Sequence, residues 1–186
     1  MLNLLGWQWQ SRLPADLRRY VLIAVPHTSN WDFFYALLTF QVMRIPVRFT
    51  IKDTVMVFPI SYFLRALGAI PINRRPIKQG EERLSMVHAM SKLFSENEEL
   101  ALIVTPEATR SRRTEWKLGF YHIALRANVP IVLGSCDFQN KIIAFNHILY
   151  PTGDLEKDMR EVMAYYRPII HLGKNPELSA LDERYS

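Results

Sequence analysis

The sequence predicts an α/β domain built on one mainly parallel sheet, and three observations carry that reading. Short β-branched, apolar runs recur along the chain, at 20–25, 47–52, 69–72, 100–104 and 130–137. Between them lie segments whose apolar residues repeat every three or four positions, as on a helix packed by one face. Strands that alternate with helices are joined most simply as parallel neighbours. A turn at Gln139-Asn140 adds one hairpin from Lys141 to Phe145.

Taken in order, residues 1–19 alternate Trp7 and Trp9 with Gln8 and Gln10, a short strand by period. At least one of the two tryptophans is expected in the core. The alternative is an interfacial N-terminal segment, with Arg12, Arg18 and Arg19 at a lipid surface. Tyr20-Val21-Leu22-Ile23-Ala24-Val25 reads as a buried strand. Phe33, Phe34, Leu37, Leu38, Gln41 and Val42 follow at helical spacing, with Thr28, Ser29 or Asn30 as the N-cap. The apolar stretch 54–67 is expected to be partly helical and broken at Pro59, buried or interfacial rather than spanning. Residues 79–96 form a helix presenting Leu84, Val87, Met90 and Phe94, and Trp116 to Asn128 form another. Asp154 caps a last helix with Leu155, Met159, Val162, Met163 and Tyr166 inward. From 172 to 186 periodicity is lost, and a loose C-terminal tail is expected. The 186 residues show no repeat or linker and are read as one domain.

Composition narrows the function. Lys+Arg number 23 against 18 Asp+Glu, a net charge of +5, which suits an anionic partner such as a phosphate ester, an acidic carrier or a lipid surface. The excess is too small to indicate nucleic acid. A single cysteine, Cys136, excludes an internal disulfide framework, fits a reducing compartment, and reads as a core residue rather than a nucleophile. No signal-peptide pattern and no apolar run of transmembrane length is present, so the expected location is cytoplasmic, or peripheral on the inner face of the membrane.

Three clusters fall just after expected strands, where open parallel sheets gather function. The first is Pro26-His27-Thr28-Ser29-Asn30-Trp31-Asp32. Five residues advance about 140° around a helix, so His27 and Asp32 cannot share one helical face. A turn before the helix would fold His27 back toward the Asp32 carboxylate, fixing one imidazole tautomer and freeing the other nitrogen as a base. The plainer reading makes Asp32 the acidic partner of a capping box with Ser29. The second cluster, Gly68 to Arg75, places Arg74 where a guanidinium fork can take a phosphate or carboxylate. The third, Thr105 to Arg113, joins three arginines and two hydroxyls to Glu107, an anion site that Lys52 and Lys117 could extend. Glu107 is expected to orient an arginine or accept a substrate hydroxyl. His88, His122, His147 and His171 have no motif partners, and no metal-binding spacing occurs.

The order His27–Asp32, Gly68 to Arg74, Pro106 to Ser111 and Val129-Pro130-Ile131-Val132 resembles the phospholipid/glycerol acyltransferase family, in the manner of the 1-acyl-sn-glycerol-3-phosphate acyltransferases but without N-terminal hydrophobic helices. The blocks cover about residues 20–137. The resemblance implies transfer of a fatty acyl group from acyl-CoA or acyl-carrier protein to a hydroxyl of a phosphorylated, lysophosphatidic acid-like acceptor, with no bound cofactor and no metal. His27 would be the general base and Asp32 its partner. Arg74 and Arg110 would hold the acceptor phosphate with Glu107 and Thr109. Ala108, Asn73, Pro71, Thr105 and Leu133 depart from the family pattern, Ala108 standing where the family has a glycine. Rival readings are an acyl-thioester hydrolase, for which the G-x-S-x-G elbow is missing, and a non-catalytic basic lipid- or nucleic-acid-binding module.

Overall fold

The computed structural model describes residues 3–72, 81–109 and 111–186. Its centre is a seven-stranded sheet of order β1-β7-β6-β2-β5-β3-β4, formed by β1 (Gln8–Ser11), β2 (Arg19–Ala24), β3 (Val47–Lys52), β4 (Ala69–Ile72), β5 (Leu100–Val104), β6 (Ile131–Asp137) and β7 (Ile142–Leu149). Neighbouring strands pair in parallel except β6 with β7. The helices are α1 (Asn30–Met43), α2 (Ile60–Ala66), α3 (Glu81–Glu96), α4 (Gly119–Ala127) and α5 (Leu155–Tyr166).

The two-residue alternation of a strand sorts the core into two clusters. Val21 and Ile23 join Leu100, Leu102, Ile131 and Leu133 in one, which α3, α4 and α5 complete with Phe94, Phe120 and Val162. Tyr20 and Leu22 join Ala101, Ile103 and Val132 in the other, with Trp7, Phe40 of α1 and Leu64 of α2. Both sets of strand side chains are buried, which is why these strands read as continuous apolar runs. The expected inner face of α5 is present: Met159, Val162, Met163 and Tyr166 are fully buried, and Asp154 Oδ1 caps the helix by accepting the Lys157 N–H.

Crossovers decide where a site can form. The chain runs from β2 through α1 to β3, passing β5. From β5 it returns through α4 to β6, passing β2. The direction of winding thus reverses between β2 and β5, and the crevice at their carboxyl ends is the topological switch point of the sheet.

Of the two tryptophans, Trp7 is the one in the core, as expected of at least one of them, and it stacks on Tyr35 at 4.1 Å, whereas Trp9 is exposed. Other expectations shift. The helix expected from Trp116 starts at Gly119, because the Trp116 N–H donates to Asp182 and its side chain packs in the core. The hairpin strand expected to end at Phe145 runs to Leu149, and β1 adds to its outer edge in parallel. Residues 172–186 are not a loose tail. They contain a 3-10 turn at Pro176–Leu178 and bury Asp182 completely, held by polar bonds that hydrophobic periodicity does not register.

Candidate active site

The strand β2 ends at Ala24, and the chain turns through Pro26 to Ser29 before α1 begins. Ser29 is the N-cap: its Oγ accepts the Trp31 N–H at 3.2 Å. Asp32 closes the capping box, its Oδ2 accepting the N–H groups of both Thr28 and Ser29 at 2.7 Å. The same turn brings the imidazole of His27 back over the carboxylate, with Nδ1 3.5 Å from Asp32 Oδ2. The capping and the histidine-facing readings of Asp32 therefore coexist in one residue. The 3.5 Å contact is longer than a hydrogen bond because Oδ2 already serves two backbone donors. Asp32 is buried and the His27 side chain is partly exposed, so Nε2 is the ring nitrogen left to face an incoming group.

Neighbouring β5 delivers Glu107 three residues after its own end. The Glu107 side chain is buried, and its Oε2 accepts the His27 N–H at 2.7 Å. It thus grips the backbone of the histidine, a role not among those expected for it, because the bond joins residues 80 apart in sequence. Burial pushes the Glu107 carboxyl up from the ordinary 4.5 to about 7; the His27 N–H bond and imidazole pull it down, and the Asp32 charge adds to the rise.

The loop after β5 holds Ala108 at φ +56°, in the left-handed region that favours glycine. Thr109 Oγ1 accepts the Ser111 N–H at 3.2 Å, so this hydroxyl shapes its own loop. Lys117 donates its backbone N–H to Pro106 at 2.8 Å, which places it beside Glu107 with its side chain exposed. Lys52 closes β3, whose carboxyl end lies on the same sheet edge as His27; its side chain lies outside the described residues. Arg74 and Arg110 also lie outside the described residues. Of the expected site residues, the structure thus joins His27, Asp32 and Glu107 directly, sets Thr109 and Lys117 beside Glu107, and puts Lys52 on the same edge.

Gly68, in the second motif, is required by contact. At φ +95° an added Cβ would lie 2.1 Å from the Val47 carbonyl oxygen.

The Acyltransferase family model matches residues 10–133, about two-thirds of the chain and the span that carries all these residues. The chain belongs to the acyltransferase family. It is an enzyme that transfers acyl groups, and its substrates are an acyl donor and an acyl acceptor. No curated protein and no solved structure matches it.

Cys136 of this acyltransferase is buried, and burial drives its thiol far above the ordinary range, which suits a core residue and not a nucleophile. Among the described residues no three metal-ligating side chains come together. A cavity of about 330 Å³ lies at the opposite edge of the sheet, lined by Arg19, His88, Lys92 and Arg126. Its cations have structural work there: Arg19 donates to the Phe94 carbonyl near the end of α3, and Arg126 bonds the His88 ring at 2.8 Å. The apolar stretch after β3 does not bury itself. Phe58, Tyr62 and Phe63 are 82%, 73% and 66% exposed, with Val57 and Ile60 exposed beside them. No helix among the described residues is long and apolar enough to cross a membrane.

Two contributions to the site escaped the sequence reading. Tyr166, fully buried on α5, sets its hydroxyl within hydrogen-bond reach of the carbonyls of Ile23 and Gly134, tying β2 to β6 just before the histidine turn. The C-terminal segment reaches the same turn through Asn175, which bonds Thr28 twice. A lone tyrosine on a helical face, or an asparagine in an aperiodic tail, gives no signal that could have found either.

Proposed function

We propose that this acyltransferase moves a fatty acyl group from acyl-CoA or acyl-carrier protein to the free hydroxyl of a glycerol-phosphate-type lipid, with His27 as general base. The observation that carries the reading is the approach of the His27 ring to Asp32 at 3.5 Å, with Nε2 turned away, at the switch point of an acyltransferase sheet. Nε2 takes the proton of the acceptor hydroxyl as its oxygen bonds to the thioester carbonyl carbon. The tetrahedral adduct collapses, the C–S bond breaks, and the imidazolium returns the proton to the departing thiolate. Asp32 stabilises the transient imidazolium. Charge on the ring tightens the 3.5 Å contact toward a charge-assisted hydrogen bond.

Arg74 and Arg110 follow β4 and β5, and in this reading they hold the acceptor phosphate, with Thr109, Lys52 and Lys117 around them. The exposed Phe58, Tyr62 and Phe63 support a peripheral stance on a lipid surface, where aromatic rings settle at the interface.

An acceptor screen tests the proposal: labelled long-chain acyl-CoA and acyl-carrier protein offered with lysophosphatidic acid, its unphosphorylated monoacylglycerol counterpart, and water alone. Transfer to lysophosphatidic acid that falls at least about a hundredfold in His27→Ala is expected. Release of free fatty acid at an unchanged rate without acceptor would assign a hydrolase instead. Activity untouched by His27→Ala would end the general-base reading.

A further inference from the structure

The turn that carries His27 is held from three directions. Glu107 takes the His27 N–H, Asp32 takes the N–H groups of Thr28 and Ser29, and the C-terminal segment takes what remains of Thr28. The Asn175 backbone N–H donates to Thr28 Oγ1 at 3.1 Å, and its side-chain Nδ2 donates to the Thr28 carbonyl at 3.0 Å, across 147 residues of sequence. Gly173 presses on the same turn: a Cβ there would lie 2.8 Å from Pro26 Cγ and 3.1 Å from Thr28 Oγ1. Lys174 sits 5.3 Å from the ring centroid of Trp31, on the first turn of α1.

The segment is fixed at its far end as well. Asp182, completely buried, accepts the Trp116 N–H at 3.0 Å and two bonds from the Arg184 guanidinium, while the Trp116 indole donates to the Ala180 carbonyl. The Glu183 N–H donates to Thr114. One strap therefore joins the histidine turn to the end of the loop that follows Glu107.

We propose that Asn175 is a positioning residue for acyl transfer, clamping the carbonyl and hydroxyl of Thr28 so that the His27 ring keeps its bearing on Asp32. Thr28 is the residue directly after the histidine and is itself buried, so rotation of its peptide swings the imidazole. Asn175 touches no reacting atom and acts through the turn alone. Its amide is the donor that fixes the Thr28 carbonyl, and a side chain without a donor leaves that carbonyl unheld.

The proposal rests on the general-base reading, and its test separates the two. In the full chain, Asn175→Ala is expected to lower kcat at least tenfold with KM within about twofold, at a melting temperature close to that of the parent. Glu177→Ala, on an exposed part of the strap, keeps the parent rate. N175D provides the signature: only a protonated carboxyl can donate to the Thr28 carbonyl. The ratio of its rate to that of the parent therefore rises as pH falls from 8 to 5. Side-chain ¹⁵N spectra of His27, recorded without substrate, are expected to show one tautomer in the parent and a mixture in N175A. Should the parent transfer no acyl group to any acceptor while N175A still alters the His27 spectrum, the positioning role stands and the acyl-transfer chemistry falls. An unchanged spectrum in N175A, a kcat within twofold of the parent, or a pH-independent N175D ratio would each overturn the positioning role.

Discussion

Replacing Glu107 with glutamine converts the buried carboxyl of this site into a measurable pH effect on folding. The carboxyl gives up its proton near 4.5 in the unfolded chain and near 7 in the folded one, where burial disfavours its charge. Between those values the folded state holds more protons than the unfolded state. Stability is therefore full below pH 4.5, declines as pH rises, and levels off above 7. The separation of about 2.5 pH units corresponds to roughly 3 kcal/mol lost between pH 4 and pH 8. In Glu107→Gln the amide oxygen still accepts the His27 N–H, but no proton is released. Urea unfolding of both proteins, followed by tryptophan fluorescence from pH 4 to 8.5, isolates the effect, because titrations not coupled to this carboxyl cancel in the difference. The variant is expected to gain on the parent by about 3 kcal/mol across that range. A difference that stays constant within about 1 kcal/mol, or that runs the other way, would refute the assignment of a strongly raised carboxyl.

Other substitutions probe the same frame. Ala108→Gly releases a left-handed backbone that costs an alanine about 1–2 kcal/mol, offset by the greater freedom of glycine when unfolded. A net gain of about 1 kcal/mol, or a melting temperature higher by roughly 2–4 °C, is expected by calorimetry; a lower one would show that the methyl group has a contact of value. Gly68→Ala drives a Cβ into the Val47 carbonyl and is expected to destabilise by about 3 kcal/mol or more, read as a lower urea midpoint. Asp32→Ala strips the buried Thr28 and half-buried Ser29 backbone donors of their acceptor, for a loss of about 3 kcal/mol. Asp32→Asn keeps an acceptor and should lose under half as much, while both fall in transfer rate. Equal stability losses in the two would argue against the capping role of the carboxylate.

What the sequence made legible follows the range of each interaction. The approach of Asp32 to His27 is a matter of one turn and one helix start, so spacing offered it beside the capping-box reading without choosing between them. The strands β2, β5 and β6 were readable because both of their faces are buried, which leaves an uninterrupted apolar run. Glu107 was found by its place after β5, but its partner was not, since its acceptor bond lies to a backbone group on a different strand end. Residues 172–186 looked like a tail because they hold on largely by polar contacts at Asn175, Ala180 and Asp182, which have no period. The stretch around Phe58 to Phe63 read as buried or interfacial because composition records apolarity without the direction in which it points.

The clamp on Thr28 also sets a timetable for biosynthesis. The ribosome makes the asparagine that secures the histidine turn 147 residues after Thr28, roughly seven to thirty seconds later at ordinary elongation rates. Throughout that interval the nascent chain carries the proposed base without the brace that aims it. On the reading proposed above, the aim of the His27 ring therefore waits on the synthesis of Asn175.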